Sequence, residues 1–307
     1  MPARHRCVVG SAVAVASGQA DIGLGTDTGG SIRVPGSFCG LYGLRPTHGS
    51  VDMTGVLGLA PPFDTVGWMT RDLTTLQQVA ELLIPADEEP PGAEIPVNLW
   101  WPAEWPYMLR SAIEQQLFDA GFGVHNRALD EAVRKRAAEA FRVLQGRALH
   151  RLHGDWIARQ QPAFAPDVAD RFAMAAALTE ADEAQARAEV TSLSDWLTQP
   201  GWTLLPTTAG AAPPQFGDPA AFDAARQGLL GLTAFAGLSG LPQIHLPWLT
   251  DQGAPWGLSL MGPRRSDHAL IQLAQRLRTA LRDTGAEGPI TPDVWSSATP
   301  TLNEDLA

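Results

Sequence analysis

The chain has 307 residues and a mass of 32.8 kDa, with 45% hydrophobic and 18% charged residues, so it can bury the core of one large domain or two ordinary ones. Its formal charge of −11, from 33 acidic against 22 basic residues, disfavours nucleic acid and anionic membrane surfaces as partners. The cysteines, Cys7 and Cys39, are too few for a disulfide framework and lack zinc-ligand spacing, and no apolar run approaches the roughly 20 residues of a membrane helix.

In chain order, the first patterned stretch is RCVVGSAVAVASGQA, Arg6 to Ala20. Arg4 and Arg6 before the apolar Val8 to Ala16, with small residues at Gly18 to Ala20, have the outline of a signal peptide. The same small residues, from Gly10 to Ser17 with Gly18 after them, also fit a tightly packed helix capped by glycine. DIGLG then reads as a short buried strand, TDTGG as a loop, and SIRVP as a helical turn stopped near Pro35. CGLYGLRP is a second strand, followed by a Gly-rich and Pro-rich segment to about Trp68 and a helix over Leu73 to Leu83.

Asp87 to Pro96, DEEPPGAEIP, reads as an exposed acidic connector. Helices are expected over about 131–149, 179–197, 219–236 and 266–282. WTLLP (Trp202 to Pro206), PQIHLP (Pro242 to Pro247) and WGLSLMG (Trp256 to Gly262) are short buried strands. This alternation predicts an α/β fold in which a mixed β-sheet is flanked by helices. One domain is expected over residues 1–284, with a polar, loose tail over 285–307.

Chemistry gathers at GTDTGGSIRVP, Gly25 to Pro35. Gly29 and Gly30 precede Ser31, and their missing side chains let backbone N–H groups converge beside the hydroxyl. A serine next to such donors can attack a carbonyl while the amides take up the developing charge. A phosphate-binding loop would need a lysine where Ser31 and Ile32 stand, and a plain tight turn is the competing structural reading. His48, His245 and His268 raise the thought of a Ser-His pair, but His245 lies in an apolar strand pattern that favours a packed core histidine. The sole lysine of the chain, Lys135, stands between Arg134 and Arg136 on what reads as the solvated face of a helix.

GSAVAVASG followed by GLGTDTGGSIRVPGSFCGLYGLRPTHG resembles the signature of the amidase signature family of Ser-Ser-Lys hydrolases. The similarity continues through FDTVGWMTRD, LLPTTAGAAPP, LSGLPQIHLPW and WGLSLMGPRRSDHALIQLA, and it points to the compact indoleacetamide-hydrolase-like members. The resemblance implies hydrolysis of a small-molecule carboxylic amide through an acyl-serine intermediate, without a cofactor or metal. It implies Ser31 as nucleophile and the amides of Thr28, Gly29, Gly30 and Ser31 as oxyanion hole. Thr26 and Asp27 match loop-supporting positions, and Arg33 matches a basic residue that orders the loop; a plain polar contact around the turn is the other reading of Asp27 and Arg33.

The family pattern fails before Gly10. The position of its second, proton-relaying serine falls on Cys7, and its lysine base lies upstream of both serines, where Lys135 cannot stand in. A serine without a base is a weak nucleophile at neutral pH. The expectations are therefore a cytoplasmic chain whose residues 6–20 belong to the fold, an upstream part lost through a late start or a shifted frame, and impaired turnover. Two alternatives stand beside this: an inactive amidase remnant or binding module, and the glutamine-hydrolysing subunit of a tRNA-dependent amidotransferase. The oligomeric state and the particular amide are open.

Overall fold

The computed structural model describes residues 10–87, 96–198, 201–213, 219–251 and 254–280. Cys7, most of the acidic connector and the expected tail over 285–307 lie outside the described residues.

An 8-stranded mixed sheet runs in the order β1-β3-β2-β7-β8-β6-β4-β5. The strands are β1 (Ile22–Asp27), β2 (Tyr42–Arg45), β3 (Thr65–Thr70), β4 (Val97–Pro102), β5 (Val124–Leu129), β6 (Trp202–Pro206), β7 (Gln243–Asp251) and β8 (Ala254–Met261). Pairing is antiparallel from β1 through to β6, while β4 runs parallel to both β6 and β5.

Helices cover both faces. Neighbouring residues of one strand point to opposite sides, so Leu99 and Leu204 enter one core with Trp68, Leu76, Ile244 and Leu270, under α3 (Leu73–Leu83), α4 (Tyr107–Asp119) and α10 (Asp267–Ala280). Their neighbours Trp100 and Leu205 enter a second core with Phe141 and Phe235, under α5 (Glu131–Gln160) and α9 (Pro219–Ser239). Because both faces are buried there, central strands such as β6 read as near-continuous apolar runs rather than alternating ones. Outside α5 pack α6 (Pro166–Ala177) and α7 (Glu180–Ser192), while the short α8 (Ser194–Leu197) packs against α9 and α7.

A third, smaller core holds the N-terminal part. In α1 (Gly10–Ala16), Ala12 and Val15 are fully buried against Ile32, Leu41 and Met69. The stretch with the outline of a signal peptide is thus, over its described residues, a packed helix. After Gly18, at φ 75°, the chain turns back so that Gln19 and Ala20 donate to the Ala14 carbonyl.

Three expectations are corrected. Pro35 does not stop a helix: it is the third residue of α2 (Arg33–Cys39), where its missing N–H would have had no intrahelical acceptor. The segment before Trp68 is not wholly irregular, for β3 lies between β1 and β2 and is buried along its whole length. At its centre Gly67 runs so close to β2 that a Cβ would sit 2.4 Å from the Leu44 carbonyl oxygen. Helix α5 continues 11 residues past its expected end near 149, to Gln160. Strands β4 and β5 and helices α4 and α6 add elements between 97 and 177 that the sequence pattern did not announce.

Candidate active site

The glycine loop leaves the sheet at the end of edge strand β1. Asp27 is the last residue of that strand and is fully buried. Its carboxylate accepts the backbone amides of Gly30 (3.0 Å), Ile32 (3.2 Å) and Arg33 (3.4 Å), which bends the chain through a tight arc. The Arg33 guanidinium grips the same carboxylate with two arms, Nε to Oδ2 at 3.0 Å and Nη2 to Oδ1 at 2.8 Å. A second buried guanidinium, Arg45 of β2, donates to Asp27 Oδ1 at 3.2 Å, to the Asp27 carbonyl at 2.5 Å and to the Phe63 carbonyl at 2.9 Å.

Burial alone would raise the Asp27 carboxyl, but Arg33 first and then Arg45 and the Ile32 amide outweigh it and hold the group well below the usual carboxylate range. Burial draws Arg45 down to about 10, which leaves it charged at neutral pH.

Long-range partners fix the outer side of the loop. Thr28 donates its hydroxyl to Asp64 at 2.6 Å. Thr233 of α9 donates to the Gly29 carbonyl at 2.7 Å, and the Thr233 carbonyl accepts Arg33 Nη1 at 3.0 Å. Arg33 Nη1 also reaches Gln243 Oε1 of β7 at 2.5 Å. Gly30 stands at φ 123°, and a Cβ there would lie 3.0 Å from the Thr233 side chain, so both strain and space demand glycine. Gly29 faces Phe141 of α5, with 3.2 Å to its ring from a virtual Cβ.

Ser31 itself is exposed, on the turn between Asp27 and α2. Its hydroxyl donates no hydrogen bond among the described residues, nor do the backbone amides of Thr28, Gly29 and Ser31. The Gly30 amide differs from the expectation that made it an oxyanion donor: it turns inward to Asp27. Thr26 lies within β1, opposite Val66, with its side chain exposed.

None of the three histidines meets Ser31 in a hydrogen bond. His48 Nε2 lies 2.9 Å from the Pro61 carbonyl, and His268 Nε2 lies 3.1 Å from that of Pro85. His245 is fully buried with Nδ1 2.6 Å from Thr207 Oγ1, and burial without a countercharge pulls it down to about 3. It is a neutral core histidine. Lys135 is exposed and paired with Glu131 at 2.7 Å. Cys39, buried in α2, has its thiol pushed up to about 12 by desolvation, which makes it a packing residue. Among the described residues no cluster of His, Cys, Asp and Glu could hold a metal ion, and no helix is long and apolar enough to cross a membrane.

Sequence reasoning missed Arg45, Asp64, Thr233 and Gln243. Arg45 and Asp64 stand inside the patterned stretches GLRP and FDTVGW, but an isolated charged residue there carries no sign of a partner. Thr233 and Gln243 lie 200 and 210 positions from Arg33 and reach it only through the fold.

A mixed sheet covered on both faces, with a glycine loop presenting a serine just past a strand end, defines an α/β protein. The chain belongs to the amidase family, whose model, Amidase, matches residues 9–199. It is 30% identical to Amidase 1 of Oryza sativa subsp. japonica, over 94% of this chain and 73% of that protein. A crystal structure of an amidase superposes with a TM-score of 0.74 at 28% identity, covering 89% of this chain and 65% of that one, so the present chain spans less than two thirds of the crystallised protein. A glutamyl-tRNA(Gln) amidotransferase component from Rubrobacter xylanophilus is 42% identical over 114 residues, 36% of this chain and 24% of that protein.

Proposed function

We propose that this chain is a hydrolase of small linear carboxamides, with Ser31 as nucleophile. Ser31 Oγ attacks the amide carbon, and the carbonyl oxygen takes up negative charge facing the open amides of Thr28, Gly29 and Ser31. The C–N bond then breaks, ammonia leaves with a proton, and water cleaves the acyl-serine to the acid. Asp27, Arg33 and Arg45 touch no reacting atom in this scheme. They hold the loop open, and Gly30 serves through its backbone conformation. The observation that carries the reading is the position of Ser31: exposed at the end of β1, on a loop whose inner side is pinned at Asp27.

Turnover is proposed to be slow. Lys135 faces solvent against Glu131, and His245 is engaged in the core, so among the described residues Ser31 has no base. Cys7, at the relay position, is the remaining group to consider. Loss of members from a catalytic unit that acts together costs several powers of ten, the remainder coming from binding and the oxyanion hole. The reading also takes residues 1–284 as one catalytic domain, places the protein in the cytoplasm, and needs no cofactor.

Methanesulfonyl fluoride provides the test. Slow, stoichiometric sulfonylation of the Ser31 peptide, absent in Ser31→Ala, is expected, with ammonia release from small amides near background. Failure to label Ser31 would favour the inactive remnant, and rapid Ser31-dependent ammonia release would overturn the proposed impairment.

A further inference from the structure

The carbonyls of Thr28, Gly29 and Gly30 all find partners inside the protein. That of Thr28 accepts Arg45 Nη1 at 3.3 Å, that of Gly29 accepts the Thr233 hydroxyl at 2.7 Å, and that of Gly30 accepts the Val34 amide at 2.8 Å. In a trans peptide the C=O and the N–H that follows it point in opposite directions. Anchoring the Thr28 and Gly30 carbonyls therefore turns the amides of Gly29 and Ser31 the other way, and these are two of the open amides that face the oxyanion in the proposed reaction.

The peptide between Gly29 and Gly30 is held at both ends. Its N–H donates to Asp27 Oδ1 at 3.0 Å, and its C=O accepts from Thr233. It joins two glycines, so no Cβ resists rotation about the bonds on either side of it. Its orientation rests on these two hydrogen bonds. Thr233, on α9, is fully buried, and its hydroxyl has a rival acceptor in the Leu229 carbonyl, the usual back-bond of a helical threonine, at 3.1 Å. The Gly29 carbonyl is the nearer of the two.

We propose that Thr233 is a positioning residue for the reaction at Ser31: its hydroxyl fixes the Gly29–Gly30 peptide and, with it, the amides that receive the oxyanion. The inference rests on the hydrolase reading of Ser31 and adds a residue of α9 that touches no reacting atom. Without the hydroxyl the Gly29 carbonyl loses its donor, and the bond from the Gly30 amide to Asp27 is left to resist rotation by itself. Rotation withdraws that amide from Asp27 and displaces the flanking amides of Gly29 and Ser31, where small misplacements are costly to the rate.

Two substitutions test it, since Thr233→Val keeps the shape and removes the donor, while Thr233→Ser keeps the donor. Sulfonylation of Ser31 by methanesulfonyl fluoride is expected to slow about tenfold or more in Thr233→Val and to stay within about twofold of the unaltered chain in Thr233→Ser. Amide hydrogen exchange followed by NMR reads the same peptide without chemistry at Ser31. Measured against the amides of β6, which open only with the fold, Gly30 is expected to exchange about tenfold faster in Thr233→Val and unchanged in Thr233→Ser. Unaltered labelling in Thr233→Val, an equal loss in both variants, or a rise in Gly30 exchange no larger than that of β6 would each overturn the assignment. Absence of labelling in the unaltered chain would instead sink the hydrolase reading, and with it any role in the reaction, while Gly30 exchange still scores the hold of Thr233 on the peptide.

Discussion

Asp27 and Glu183 are both buried acids ringed by arginines, but the arginines around them differ in their access to water. Asp27 meets Arg33 and Arg45 with all three side chains removed from water. Glu183 of α7 meets Arg147 and Arg151 of α5 and Arg187 of its own helix, and the side chains of Arg151 and Arg187 are 53% and 67% exposed. Hydrogen bonds from Arg151 foremost hold Glu183 down at about 2. The deeper difference is the backbone. Asp27 accepts three main-chain amides of the serine loop, so its charge network sets the path of the chain, whereas the partners of Glu183 are guanidinium groups that clamp two helices together. Composition alone would rank the two clusters alike. Burial and backbone contact make one of them the frame of a candidate active site.

The largest effect is expected from Asp27→Ala. It leaves two buried guanidinium groups without their carboxylate and three amides without an acceptor, and breaking a buried pair in this way typically costs about 3–5 kcal/mol. Urea unfolding should show that loss, and methanesulfonyl labelling of Ser31 should disappear with it even below the unfolding midpoint. A cost no greater than that of Glu183→Ala would erase the distinction between the two clusters.

Much of this frame was legible in the sequence, and its limits have physical reasons. The helix over Leu73–Leu83 and the strand over Trp202–Pro206 fall where the apolar spacing put them, because each packs one well-defined pattern against the core. Strand β3 escaped because it is buried on both faces and centred on Gly67, so it shows neither alternation nor a dense β-branched run. In β5, exposed residues such as His125 and Asn126 face solvent at the sheet edge, and the apolar signal is thin. The loop from Thr28 to Ser31 was visible through its glycines. Its supports were not, since Thr233, Gln243 and Asp64 become partners only when β7, α9 and the segment before β3 converge.

His245 sharpens the comparison from another side, as a buried ionisable group that stays neutral instead of finding a countercharge. Its folded pKa of about 3 lies below the usual value of 6.5, so the unfolded chain binds the extra proton between these two values. Its contribution is complete above pH 6.5 and declines as the pH falls toward 3. Between pH 6.5 and 5, where the carboxylates of Asp27 and Glu183 are still ionised, about 2 kcal/mol of stability should go from this residue alone. Urea midpoints of the unaltered chain and His245→Gln across that interval should diverge, with the variant showing the flatter profile. Parallel profiles would mean that water reaches the imidazole.

Gly30→Ala probes the loop without touching a charge. The added methyl would be held at a left-handed φ and pressed against Thr233, and strain of this kind costs about 1–3 kcal/mol. The loop can relieve it only by moving the amides beside Ser31, so labelling of Ser31 should slow by more than the stability loss would suggest. An unchanged labelling rate would argue that the path set by Asp27 does not control the nucleophile.

The smallest effect is expected at Glu183→Gln. The amide keeps the shape and can still accept hydrogen bonds, while Arg151 and Arg187 can turn to water and Arg147 retains the Leu178 carbonyl at 2.7 Å. What is lost is chiefly Coulomb attraction to Arg151 and Arg187, whose guanidinium groups solvent reaches although Glu183 itself is buried, typically no more than about 1 kcal/mol. That part should also be screened, so the difference between variant and unaltered chain is expected to narrow between low salt and 1 M salt, where the screening length falls to about 3 Å. Asp27→Asn measured in the same series should keep its full cost, because ions cannot enter a site from which water is excluded. If Glu183→Gln instead cost several kcal/mol and ignored salt, the α5 and α7 cluster would belong with Asp27 as a buried framework, and the exposure of its outer arginines would not describe its energetics.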